Sequence, residues 1–165
     1  LQYSNVVRKG RPPRPFALAE VVAEVSQDLA PELDGGALVV EGDLPVLHGD
    51  RDQIRQALQN LVSNGVKYRH PERAPRVVIR ARREAERERV VVEVEDNGRG
   101  FDPAHAGRIF DPFTRLDPHA GPEGSGMGLA IVRSVALRHG GDVSVTARPG
   151  EGALFRLVLP CAPRA

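Results

Sequence analysis

The 165 residues carry 23 Lys and Arg against 22 Asp and Glu, a net charge of +1, with 41% apolar residues and a single cysteine, Cys161. A chain of this length suits one domain that buries about 70% of the surface it exposes when unfolded. Near-neutral charge gives no field to gather nucleic acid or an anionic membrane, one cysteine excludes an internal disulfide framework, and no apolar run approaches the roughly 18 to 20 residues of a membrane span. The expectation is a cytoplasmic domain without a nucleic-acid partner, cut from a longer protein whose other parts could be membrane-anchored.

Residues 1 to 9 read as the end of an earlier element, and GRPPRP, Gly10 to Pro15, breaks any helix because proline lacks an N–H and disfavours helix in the residue before it. The domain boundary is placed there, with residues 16 to 165 as the folded unit. From Phe16, Leu18, Val22, Val25 and Leu29 follow helical spacing, and Pro31 with Gly35 and Gly36 closes the segment. ALVVEGDLPVLHGD reads as two short strands around a turn at Gly42 and Asp43. Asp50 is the N-cap of a second helix, with Gln53 as capping-box partner and Ile54, Leu58, Leu61 and Val62 as its buried stripe.

After the loop RHPERAP, Val77 to Arg82 and Val90 to Glu95 form a hairpin. Asp96 to Gly124 is a long stretch rich in Gly, Pro, Asp and His with a short helical piece around Ala106 to Phe110; a loop of that length is usually functional. A last helix spans Gly126 to His139, stopped by Gly140 and Gly141, and strands at Asp142 to Thr146 and Leu154 to Leu159 finish the chain. The fold class is α/β (α+β): a two-layer sandwich of one mixed, mostly antiparallel sheet covered on one face by three helices.

Three constellations could carry chemistry. In NLVSNGVKY, Asn64 lies about 40° and Lys67, one of only two lysines in the chain, about 20° from Asn60 around the helix axis, so the three share a strip beside the apolar stripe. Amide oxygens suit Mg²⁺ and an ammonium suits phosphate; a solvated helix edge has the same pattern. In VVVEVEDNGRG, the phase of Val90, Val92 and Val94 carries Asp96 to the core edge, where a carboxylate needs a fixed donor; Asp-Asn-Gly is also a common turn. In EGSGMGLAIVRSVALRHGG, Gly124, Gly126 and Gly128 enter a helix whose free N–H groups favour an anion, or serve as a hinge. Phe110 and Phe113 anchor the long loop or belong to a small core cluster. The histidines at 48, 70, 105, 119 and 139 have no metal-ligand spacing and read as surface or capping residues.

In this order the features resemble the ATP-binding catalytic domain of bacterial sensor histidine kinases, which share the Bergerat nucleotide-binding fold with type II topoisomerases and mismatch-repair ATPases. The resemblance covers residues 16 to 160. QNLVSNGVKY resembles the N box, DNGRG the first glycine box, RIFDPF the F box and GSGMGLAI the second glycine box; KYRHPE and RLDPHAGPEGSGMGLAI are similar to phytochrome-like kinases. The resemblance implies ATP and Mg²⁺ as cofactors, with Asn64 as the Mg²⁺ ligand, Asn60 near metal and phosphates, Lys67 on the phosphates and Tyr68 near the adenine. It implies that Asp96 accepts from the adenine amino group, that Gly98 and Gly100 shape the pocket, and that Phe110 and Phe113 border it. Gly124, Ser125, Gly126, Met127, Gly128 and Leu129 would form the lid hinge and phosphate cradle, with Arg115 as a lid cation for the γ-phosphate.

Gly65 stands where alanine is frequent, and Ala153-Leu154 where a polar residue often precedes the final-strand phenylalanine. The family's phosphoacceptor, a histidine followed by an acid on a dimerisation hairpin, is not in this chain, so residues 1 to 15 would be that hairpin's end and a linker. The implied partners are that dimerisation domain of the same protein, a response-regulator receiver domain and a second copy in a homodimer. A regulatory nucleotide-binding module without transfer, or an anti-sigma-type serine kinase, would use the same fold.

Overall fold

The computed structural model describes residues 10–114 and 127–161. The sequence expectations for Arg115, Gly124, Ser125, Gly126 and residues 1 to 9 lie outside the described residues. In chain order the elements are β1 (Arg14–Ala17), α1 (Leu18–Leu33), β2 (Ala37–Val40), β3 (Val46–Gly49), α2 (Arg51–Lys67), β4 (Arg76–Glu84), β5 (Arg89–Asp96), α3 (Gly128–Arg138), β6 (Asp142–Arg148) and β7 (Gly152–Pro160). Five strands form one sheet in the order β2-β4-β5-β7-β6, with β2 parallel to β4 and the other pairs antiparallel.

The three helices pack on one face of this sheet. Val77, Ile79, Val92, Val94, Phe155 and Leu157 meet Leu18, Val25, Leu58, Leu61, Ile131 and Val135 in one continuous core. The opposite face is charged rather than apolar. Glu93 is only 8% exposed there, ringed by Arg82 at 2.9 Å, Arg156 at 3.1 Å and Arg80 at 3.4 Å. The heads of these arginines converge on Glu93, and Arg80 also meets Glu95 at 3.1 Å and Glu41 at 3.3 Å.

Local chemistry sets the element ends. The Asp50 side chain accepts from the Gln53 N–H at 3.3 Å, the bond an N-cap makes. α3 ends in a Schellman motif: Gly140, at φ 75°, donates to Leu137 O, and Gly141 donates to Ala136 O.

Four sequence expectations are corrected. Phe16 is not helical: it lies in β1, paired with Leu47 of β3 in a separate two-stranded sheet, so one mixed sheet does not take in every strand. Pro31 does not close α1 but sits inside its last turn, and the helix ends two residues later at Leu33, just before Asp34 and Gly35 take positive φ. A proline so close to the end sacrifices one hydrogen bond that a frayed turn would hardly keep. Ala106 to Phe110 forms turns after a 3₁₀ segment at Pro103–His105 rather than a short helix, because Asp102 caps that turn locally. The described part of α3 starts at Gly128, not Gly126.

Candidate functional site

The site is built where α2 crosses the end of β5. A Cβ on Gly65 would lie 2.9 Å from the Asp96 Cβ and 3.0 Å from Val77 Cγ2. The glycine that weakens the helix by up to about 1 kcal/mol relative to alanine therefore also lets α2 approach the strand end that carries Asp96. Asn64 and Lys67 flank this contact in sequence; Asn64 is half-buried and Lys67 exposed. Asn60, one turn earlier, donates from Nδ2 to the Gly128 carbonyl at 3.2 Å, tying α2 to the first turn of α3. That bond commits its amide nitrogen and leaves its oxygen as the group able to face a cation.

Asp96 pairs with Val77 on β4 and with Ala153 on β7, on the helical side of the sheet. Burial pushes its carboxyl above the usual aspartate range, and the neighbouring Glu95 charge adds to this; the Gly98 and Ala153 backbone N–H groups pull the other way. The Gly98 N–H reaches Asp96 Oδ1 at 2.9 Å, and the Ala153 N–H is the second backbone donor to this carboxylate.

The loop that follows is fixed from several sides. A Cβ on Gly98 would meet the Tyr68 carbonyl at 2.6 Å, and one on Gly100 would meet the Arg148 carbonyl at 1.9 Å. Gly100 also has φ 62°, a conformation L side chains rarely adopt. Tyr68, 38% exposed, caps α2 and accepts the Arg99 N–H at its carbonyl. Asn97 receives Arg76 N–H at Oδ1 and donates to Ala74 O, and Arg73 spans Asn97, Gly98 and Gly150 carbonyls.

Thus Asn60 meets Gly128 at the first turn of α3, while Gly65, Tyr68 and Gly98 close around Asp96, and Met127 and Leu129 are half-buried against the core. The two phenylalanines part company. Phe110 is buried edge-on against Phe155, ring centroids 6.1 Å apart, whereas Phe113 is 75% exposed with φ 63°. Among the described residues no three His, Cys, Asp or Glu side chains gather as a metal site. A cation here would meet neutral amide oxygens together with oxygens of its ligand and water, as Mg²⁺ at phosphates does.

Sequence reasoning passed over Arg73, whose partners lie 24 to 77 residues away, and the contact role of Gly65, which a glycine inside a helical pattern does signal. His139, expected as a surface or capping residue, is the C-cap of α3, and its Nε2 accepts the Asp50 N–H at 2.9 Å while Nδ1 meets Val135 O at 2.8 Å.

Comparison with known proteins places this geometry. The family described as histidine kinase-, DNA gyrase B-, and HSP90-like ATPase matches residues 49–163. The chain is 34% identical to the alginate biosynthesis sensor protein KinB of Pseudomonas aeruginosa over 87% of this chain and 24% of that protein. It is 34% identical to the phytochrome-like protein Cph1 of Synechocystis over 86% and 19% respectively, and 41% identical to the sensor histidine kinase CusS of Escherichia coli O157:H7 over 76% and 26%. It thus spans about a fifth to a quarter of these relatives' length. Among solved structures, the mycobacterial sensor histidine kinase MprB superposes with TM-score 0.77 at 27% identity, covering 92% of this chain and 99% of that one. Full-length ShkA in complex with AMPPNP gives 0.82 at 28%, covering 99% and 35%. A family model that matches most of the chain and relatives at 34 to 41% identity make the chain a member of the histidine kinase-, DNA gyrase B-, and HSP90-like ATPase family, in the branch of sensor histidine kinase catalytic domains.

Proposed function

We propose that the chain binds ATP with Mg²⁺ and donates the γ-phosphoryl to a histidine on a preceding dimerisation domain of a longer, homodimeric sensor kinase, for onward transfer to a response-regulator aspartate. Asp96 carries this reading: a partly buried carboxylate, held by the Gly98 and Ala153 N–H groups, that would accept from an exocyclic amine, the group that distinguishes adenine from guanine at that position. The AMPPNP held by full-length ShkA, an ATP analogue, supports it.

The chain's own residues bind and orient. Lys67 offers its ammonium to the phosphates, and the Asn64 and Asn60 amide oxygens suit a hard cation on them. Bound Mg²⁺ supplies neutralisation of the charge that develops on the phosphate oxygens. In the transfer, the bond between the γ-phosphorus and the β,γ-bridging oxygen breaks and a bond to the acceptor imidazole nitrogen forms, leaving ADP. Such transfer rests on positioning and charge neutralisation rather than on a nucleophile of this domain.

The full-length parent protein tests the proposal. Incubated with γ-labelled ATP, it should acquire acid-labile, base-stable phosphate, and the Asn64→Ala parent at least tenfold less. Acid-stable label would point to a serine kinase, and no label to a regulatory module.

A further inference from the structure

We propose that Arg73, in the loop after α2, is a positioning residue for the nucleotide site, acting on Asp96 through a single peptide group. The guanidinium Nε donates to the Asn97 carbonyl oxygen at 2.8 Å, and the N–H at the other end of that same peptide, on Gly98, donates to Asp96 Oδ1 at 2.9 Å. The peptide is therefore strung between a cation and a carboxylate, with its dipole aligned to both, and hydrogen bonds in such a chain polarise and strengthen one another. Arg73 Nη2 also reaches the Gly98 carbonyl at 3.4 Å and the Gly150 carbonyl. The fork thus fixes the loop after Asp96 against the β6–β7 turn, and a lysine cannot reproduce it.

Besides the Gly98 N–H, the Ala153 backbone N–H also favours the ionised carboxylate. The contacts from neighbouring elements are uncharged: Gly65 of α2, Val77 of β4 and Ala153 of β7. Glu95, the charge beside it on β5, opposes ionisation, as does burial. The peptide amide backed by Arg73 is the route by which a positive charge reaches the carboxylate. Arg73 itself stands outside the ligand face, so its action on nucleotide is indirect.

The consequence for nucleotide rests on the ATP-binding reading above; the link between Arg73 and Asp96 does not, and two measurements separate them. In the ligand-free protein, carbon-detected NMR titration of the Asp96 carboxyl should show its midpoint moved upward in Arg73→Gln and by less in Arg73→Lys, which keeps the charge but not the fork. An unmoved midpoint in Arg73→Gln overturns the proposal. In calorimetry with AMPPNP and Mg²⁺, Arg73→Gln should weaken binding about three- to tenfold, and the same substitution in an Asp96→Asn background less than about twofold. Equal losses in both backgrounds would mean that Arg73 merely supports the loop and would overturn it. Wild-type protein that fails to bind AMPPNP would sink the ATP reading, while the titration would still decide the Arg73 link.

Discussion

Burial makes the ionised Asp96 costly to the ligand-free domain, and the proposed adenine contact would give that carboxylate its use. The unfolded aspartate titrates near 3.8 and the native one higher, so between those values the native state binds more protons. Stability of the ligand-free domain therefore falls as pH rises through that window and levels off above it. Nucleotide affinity runs oppositely, because the acceptor must be ionised, and it should be lost as pH falls through the raised native value. Asp96→Asn should accordingly raise the ligand-free melting temperature at neutral pH while weakening AMPPNP binding by about 1.5–3 kcal/mol, roughly ten- to a hundredfold, the worth of a hydrogen bond to a charged group; differential scanning calorimetry and titration calorimetry read the two effects. Gly100→Ala should destabilise by about 1–3 kcal/mol from backbone strain alone, with overlap on the Arg148 carbonyl added, measured by urea unfolding. At this scale much was legible. The phase of Val90, Val92 and Val94 delivered Asp96 to the correct face. Arg73 was not legible, because no local pattern announces a side chain whose partners are two loops distant in sequence.

Among the elements, α2 carries the site and is secured at its start by Asp50. One carboxylate oxygen caps the helix at Gln53 N–H and the other accepts the Arg11 N–H at 2.7 Å. The Asp50 amide itself is held by His139 at the end of α3. The segment entering the domain is therefore fastened to α2 at one residue. Asp50→Ala should cost about 1 kcal/mol of stability through the lost cap and speed amide exchange at Arg11; stability loss with Arg11 exchange unchanged would show that the second bond is idle. The N-cap was visible in the sequence because capping chemistry is local. The fate of Phe16 was not: GRPPRP is non-helical as expected, but whether Phe16 then began a helix or paired with Leu47 depends on β3, about thirty residues on. Likewise Pro31 looked like a terminator, and only the nearness of the helix end made it tolerable.

The whole molecule places its sheet so that one face holds the helices and the other holds a charged lattice centred on Glu93. The alternating valines fixed the helical face in advance; that Val91 and Glu93 on the other face are also covered follows from arginines on β4 and β7, which no single-strand pattern contains. Sheet order and the separate β1–β3 pair are long-range outcomes, whereas helix number, helix order and the convergence of α2 with the end of β5 followed from motif order and resemblance. The reading proposed above has Asp96 and the amides of α2 select adenine. Titration calorimetry of the wild-type chain with Mg²⁺ and either AMPPNP or its guanine counterpart tests this directly. Saturable one-to-one binding of AMPPNP is expected, at least tenfold tighter than the guanine analogue, with the preference erased by Asp96→Asn; equal binding of both nucleotides by wild type, or a preference that survives Asp96→Asn, would overturn that reading.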